Sequence, residues 1–367
     1  MDFKTINYRP NHNIEFYRVL KERVNQYFKS NSISKKANAK MIFKSVCMLL
    51  MYFGPLSLLY VNMPYDVLYI LLWVVMGFGM AGVGLSIMHD ANHGTFSSNK
   101  NVNGWLGLLL NFLGGNDINW RIQHNVLHHT YTNVNDVDED IEVPAFVLRF
   151  SQHKKLYRIH KYQHLYAWFL YGLMTLMWFL TKDYNQALRY KRKGLLHSEN
   201  TNVRKHLVRI IGYKILYAFI FIGAPLLWSP AAWYLIIIGF LIKQFIAGFL
   251  LSIIFQPAHV VPSSDFPVPN ESGNIEADWA VSQLANTANF APKSRLFSWY
   301  VGGLNFQIEH HLFPNICHIH YRHISKIVKE TAEEFKLPYH SYKTFYGAVM
   351  DHARFLHKMG NQPLKQV

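Results

Sequence analysis

The sequence predicts an all-α integral membrane fold of four transmembrane helices in two hairpins, completed by a cytosolic helical cap. Three observations predict it. Of 367 residues, 50% are hydrophobic and 16% aromatic, while 16% are charged; a soluble domain carries about 25% charge. Four apolar stretches are each long enough to cross about 30 Å of hydrocarbon. The basic residues that make the formal net charge +15 avoid two of the short connections and crowd the other segments.

The first stretch, residues 45–65, carries no charge, and neither does the second, 67–88. Residues 215–242 are again uncharged and are interrupted by Trp228–Ala231 (WSPA); apolar sequence then runs past Lys243 to Phe255. The expected helices there are about 208–227 and 231–255. The connections VNMPYD and WSPA contain no Lys or Arg. The positive-inside rule therefore places both termini and the long middle loop in the cytoplasm. Residues 105–115 are too short to span. Residues 165–180, rich in Tyr and Trp, are expected to lie along the membrane interface. Lys243 falls mid-helix, where a charge is costly; it is expected to snorkel, or its helix to project into the cytosol.

The expected organisation is a cytosolic N-terminal segment (1–44), transmembrane hairpins with an intervening cytosolic or interfacial region (45–260), and a cytosolic C-terminal cap region (261–367). The N-terminus lacks the apolar core of a cleavable signal peptide. Cys47 and Cys317 fit neither a disulfide framework nor a cysteine metal site. Basic clusters at 35–44, 154–161 and 189–193 come with no nucleic-acid motif, so they point to anionic membrane lipid rather than nucleic acid. Residues 319–336 read as an amphipathic helix packing on the cap. Residues 262–290 read as a polar connector that could close over a substrate. Gly77, Gly79, Gly82 and Gly84 read chiefly as close helix packing.

Histidines carry the chemistry. His89 and His93, and His124 and His128, share helix faces at i, i+4. His129 sits about 100° around from His128, and His310 and His311 repeat that adjacency. With His259 these make eight imidazoles, all expected on one side of the membrane. That is too many for one ion, because a catalytic zinc takes about three protein ligands. Eight suit two metals, held in the cap region. Imidazole is compatible with zinc, copper, iron and nickel. No Glu-x-x-His occurs, so any iron site would be nitrogen-rich compared with soluble di-iron bundles. The other histidines, including His153, His160, His164, His318, His320 and His357, read as structural or surface residues. Asp90, Asp136, Asp138, Asp140 and Glu309 lie near enough in sequence to orient metal-bound imidazoles; for Asp136 and Asp138 ordinary loop solvation is an equal reading. Trp120, Arg121 and Asn125 border the second cluster.

The clusters resemble the three histidine boxes of the integral membrane fatty acid desaturases: His89/His93, then His124/His128/His129, then Gln307/His310/His311. The likeness covers residues 45 to 325, and "NFQIEHHLFP" at Asn305–Pro314 is its most specific part. Glutamine at the head of the third box is similar to the front-end desaturases, which insert a double bond between an existing one and the carboxyl end. His259, in "FQPAH", resembles an extra ligand of the stearoyl-CoA desaturases, where an asparagine stands four residues earlier; here Phe255 occupies that place. The resemblance implies two iron ions bound by the eight histidines, with Gln307 beside them or as a weak ligand. It also implies O2 as co-substrate, a tunnel for a fatty acyl chain (carried by CoA, a carrier protein or a lipid), and two electrons per turnover. No haem-binding His-Pro-Gly-Gly occurs, so the electrons are expected from a separate donor such as ferredoxin or cytochrome b5. A zinc metalloprotease built on "HDANH" would leave two clusters idle. A metal transporter would place its ligands near midmembrane. A lipid hydroxylase or ketolase could share the whole constellation, and "QIEHHLFP" favours desaturation.

Overall fold

The computed structural model describes residues 6–9, 15–144 and 146–364. These are mainly helical, and four helices are long and apolar enough to cross a membrane: Ala39–Leu58, Asp66–Asn92, Val203–Trp228 and Trp233–His259. They agree in number and order with expectation, but their ends shift. The first begins six residues before residue 45, because Asn38 caps it by accepting from the backbone N–H of Lys40 (3.0 Å) and Met41 (3.3 Å). It ends at Leu58 rather than residue 65. The connection beyond is tied by Tyr69, whose hydroxyl donates to Val61 O (2.9 Å) and accepts from Met63 N (3.2 Å). The second continues through His89 to Asn92. The third starts at Val203, capped by Asn202, which accepts from Lys205 N (3.0 Å). The segment expected at the interface is broken into Gln163–Gly172 and Met174–Met177 and is not among the four.

The chain divides into two compact units. The first comprises Asn38–Ile122 and Trp168–Ser252. Its helices approach closely: a Cβ on Gly79 would lie 2.5 Å from the backbone nitrogen of Tyr52, so packing rather than acyl space accounts for that glycine. Lys243 corrects its expectation. It is fully buried and does not snorkel. Its ammonium lies 3.7 Å from the Phe221 ring centre, 4.7 Å from Phe240, 4.8 Å from Tyr217, 5.7 Å from Trp73 and 6.0 Å from Tyr52. It also donates to the Tyr217 hydroxyl (2.9 Å). Rings from all four spans thus surround one amino group, in the arrangement that accommodates a cation against ring faces. Lys214, on the third span, pairs instead with Asp183 and the carbonyl of Trp178 (2.7 Å).

The second unit comprises the N-terminal stretch to Ala37, Gln123–Ala167 and the chain from Ile253 onward. Its core joins a helix that the sequence reading did not mark, Phe16–Ser30, to the expected amphipathic one, Tyr321–Glu334. Phe16, Leu20, Val24 and Phe28 recur at helical spacing and pack with Ile324, Val328 and Ala332. Two short parallel pairings fasten this unit, Asn7–Tyr8 with Asn274–Ile275 and Asn289–Phe290 with Ser341–Tyr342. The C-terminal helix Phe345–Asn361 is locked down by buried Arg149, which donates to the carbonyls of Met359 (2.5 Å) and Gln362 (2.8 Å).

Candidate metal centre

The second unit gathers six of the eight sequence-nominated histidines: His124, His128, His129, His259, His310 and His311, all buried. His259 ends the fourth span and His310 and His311 lie on the short helix Gln307–Leu312. The stretch Arg121–His128 is wound as a π-helix. His129 N–H accordingly reaches back five residues to His124 O (3.0 Å). This departs from the α-helical expectation. The wider turn swings His129 toward His124, so their Nε2 atoms stand 3.3 Å apart. π-turns recur at functional sites, and a second one, Val83–Met88, precedes His89.

Two imidazole triads result. His128, His259 and His311 have ring centres 4.7 to 4.8 Å apart. His129, His310 and His311 form the other, with the Nε2 atoms of His129 and His310 separated by 3.0 Å. In each triad the ring nitrogens that could serve as ligand atoms all lie within 4.8 Å of one another.

The far side of five of the six rings explains their orientation. His128 Nδ1 donates to Asp138 (2.8 Å), His124 Nδ1 to Asp140 (2.6 Å), His311 Nδ1 to the amide oxygen of Gln283 (2.8 Å), and His259 Nδ1 to the Asn286 carbonyl (3.2 Å). His310 Nδ1 meets the Tyr321 hydroxyl (3.1 Å). A proton held on Nδ1 leaves a lone pair on Nε2. Buried Nε2 atoms of His128 and His259 have no hydrogen-bond partner among the described residues. Lone pairs facing one another in a dry site repel unless a cation sits at their focus, so the residues fit resident metal ions. Burial works against the charged form of His128, but the carboxylates of Asp138, which it hydrogen-bonds, and Asp140 together raise its pKa.

Asp138 resolves its two readings. It is buried, and it also accepts from Asn133 N (2.8 Å). Asn133 has φ +60°, in the left-handed region that Asn tolerates, and its side chain donates to His259 O (2.9 Å). Asp136, by contrast, is exposed and pairs with Lys154. The Glu309 carboxylate accepts instead from Asn289 (2.8 Å) and Tyr339 (2.8 Å), and burial pushes its pKa up to about 7. Gln307 is buried at the start of its helix. Phe255 packs against His128 (5.1 Å) and His259 (4.8 Å), an apolar wall where the stearoyl-CoA pattern has a polar residue.

His89 and His93 lie in the first unit, ring centres 4.7 Å apart, with Trp120 edge-on to both (5.5 and 5.6 Å). Arg121 is engaged by Glu199 (3.0 Å) and Asp117 (3.1 Å), which accounts for it as a brace. His320 bonds the Lys36 carbonyl (3.2 Å) and His160 accepts from Tyr157 N (3.1 Å), as structural histidines do. Sequence reading missed Gln283, Asn286, Asn133 and Tyr321. The stretch read as a connector contains the helix Trp279–Asn286, started by Asp278, which accepts from Ala280 N (2.9 Å). That cap was legible; the contact of Gln283 with a histidine 28 residues away was not. An apolar groove of about 430 Å³ in the first unit, lined by Phe169, Leu173, Ile238, Leu241 and Phe245, includes none of the eight histidines.

Comparison with known proteins agrees. The family model described as "Fatty acid desaturase" matches residues 66–343. An acyl-lipid (8-3)-desaturase of Physcomitrium patens is 36% identical over 359 residues, 97% of this chain and 74% of the relative. An sn-1 linoleoyl-lipid 6-desaturase of Synechocystis sp. is 34% identical over 351 residues, 94% of this chain and 95% of the relative. A Delta(5) fatty acid desaturase A of Dictyostelium discoideum is 33% identical over 358 residues, 95% and 76%. The chain is a membrane oxidoreductase that belongs to the fatty acid desaturase family.

Proposed function

We propose that this chain introduces a cis double bond into a fatty acyl chain carried on a membrane lipid, by front-end desaturation. It would use two histidine-bound iron ions, O2, and electrons from a separate donor such as ferredoxin or cytochrome b5. One observation carries the reading: buried imidazoles turn their Nε2 atoms inward while Asp138, Asp140, Gln283 and the Asn286 carbonyl hold the opposite nitrogens. The proposed ligands are His124, His128, His129, His259, His310 and His311 together with His89 and His93; Gln307 stands beside them or ligates weakly. The relatives' names favour a lipid-linked acyl chain over CoA or carrier-protein esters. The three stretches 1–44, 45–260 and 261–367 would act as one desaturase.

When bound, the irons supply the activation of O2 needed to remove hydrogen from unreactive methylenes. The balance is simple. The –CH2–CH2– unit gives up two hydrogens. With two donor electrons and two protons, these reduce one O2 to two waters. The protein's own residues do the rest. Asp138 and Asp140 fix the tautomers of His128 and His124, raising ligand basicity. Gln283 does the same for His311. Phe255 keeps water from the rings of His128 and His259. Regiochemistry follows from which methylene pair is held at the site, a matter of positioning.

The charge of the connections supports a cytoplasmic location for both termini and the histidines. A reporter fused after Val367 tests this: cytoplasmic activity is expected, and activity on the opposite side contradicts it. Function is tested in a host of defined lipid profile, with mass spectrometry locating double bonds within each lipid class. A new double bond on the carboxyl side of an existing one, in lipid-linked chains, is expected. His128→Ala and His310→Ala should abolish product while the protein stays folded in membranes. A hydroxylated product, or full activity in either variant, contradicts the proposal.

A further inference from the structure

Two segments of the second unit, residues 291–300 and 341–347, stand side by side. Parallel pairing of Asn289–Phe290 with Ser341–Tyr342 sets their register, and Ala291 N–H bonds the Tyr342 carbonyl (3.0 Å). Behind them three rings interlock: Phe290 to Phe345 at 5.4 Å, Phe297 to Phe345 at 4.9 Å, and Phe290 to Phe297 at 6.1 Å. The scaffold is therefore firm. In the same segments Leu296 is 78% exposed and Tyr346 72% exposed. Lys293, Arg295 and Lys343 are exposed as well, and neither segment contains Asp or Glu.

A single exposed Leu needs no explanation. Two large apolar side chains held out on a rigid support among three cations form a different object. Exposed apolar side chains accompanied by cations suit insertion among lipid headgroups. Tyr is at home at the headgroup level, and Lys and Arg are drawn to anionic leaflets. The four spans tether the chain to a bilayer, so a lipid surface is present at high effective concentration.

We propose that Leu296 and Tyr346, with the exposed Lys293, Arg295 and Lys343 of the same two segments, form a membrane-contact anchor of the second unit that takes anionic phospholipid headgroups. The patch shares no residue with the histidine site, so it stands or falls apart from the metal chemistry.

The test uses the full chain in vesicles of phosphatidylcholine with or without phosphatidylglycerol. Leu296→Cys and Tyr346→Cys are labelled with a fluorophore, and Lys326→Cys, on an exposed side chain elsewhere in the same unit, serves as reference. Unmutated protein gives the background from Cys47 and Cys317. Nitroxide lipids should quench positions 296 and 346 but not 326, and aqueous iodide the reverse. Phosphatidylglycerol should deepen the lipid quenching. High salt, or the combined change Lys293→Glu, Arg295→Glu and Lys343→Glu, should abolish the added effect. The salt arm stands even where the triple variant folds poorly. Iodide quenching of all three sites alike would overturn the proposal. So would lipid quenching indifferent to lipid charge, or shielding that arises only when an acidic electron-carrier protein is added.

Discussion

At Asp138 a buried carboxylate spends both oxygens on the site. One takes the Nδ1 proton of His128 and the Asn133 N–H; the other accepts from Asp140 N (3.0 Å). Removing its charge should free the imidazole to choose the wrong tautomer. Asp138→Asn is therefore expected to lower bound iron and desaturation by about 10- to 100-fold, the usual effect of losing a partner to a metal-bound histidine. Asp136→Asn, two residues away and exposed to solvent, should leave both near the unmutated level. Iron per chain and product per chain measure this; equal losses in the two variants would deny Asp138 its orienting role. Sequence spacing nominated the imidazoles because adjacent and i, i+4 histidines have few other uses. It left Asp136 and Asp138 undivided, because a polar loop gives no clue to which carboxylate turns inward. Gln283 was invisible for the same reason: only the fold brings it to His311.

Among the elements, the long apolar helices were legible and their ends were not. Hydropathy registers the stretch that avoids water, whereas Asn38 and Asn202 start their helices by capping backbone donors. The π-turn at Arg121–His128 was likewise hidden, since a change of winding leaves no trace in residue type. The C-terminal helix offers a sharper test. His352 is buried and donates from Nδ1 to the Val260 carbonyl (2.7 Å); burial pushes its pKa down to about 4. In the unfolded chain it titrates near 6.5. Between those values the unfolded state binds the extra proton, so stability is complete above pH 6.5 and drains as pH falls toward 4. Going from pH 7 to pH 5 should cost about 2 kcal/mol through this residue. Thermal unfolding of the protein in lipid at both pH values, with and without His352→Gln, checks this. The variant should lose less stability on acidification; an identical loss would remove His352 as the source.

For the whole molecule, the four spans converge on Lys243 in a cage of rings, with no carboxylate paired to it among the described residues. Replacing a buried charge by an apolar side chain of similar length is often neutral or stabilising. Lys243→Met should thus keep the protein folded in membranes with an unchanged or higher Tm. Phe221→Ala, which opens a cavity against the same cage, should cost about 3 to 5 kcal/mol. A collapse of Lys243→Met would show instead that the cation itself holds the spans together. Fold class could be read from composition, and the candidate histidines from their spacing, because both are one-dimensional patterns. The cage, the braces and the cap's own packing depend on contacts between remote stretches. The most direct check on the whole proposal is metal content of purified, active protein by elemental mass spectrometry. Two irons per chain are expected, falling together with desaturation in His128→Ala. A single zinc per chain, or divalent ions that vary with the medium, would contradict the proposed centre.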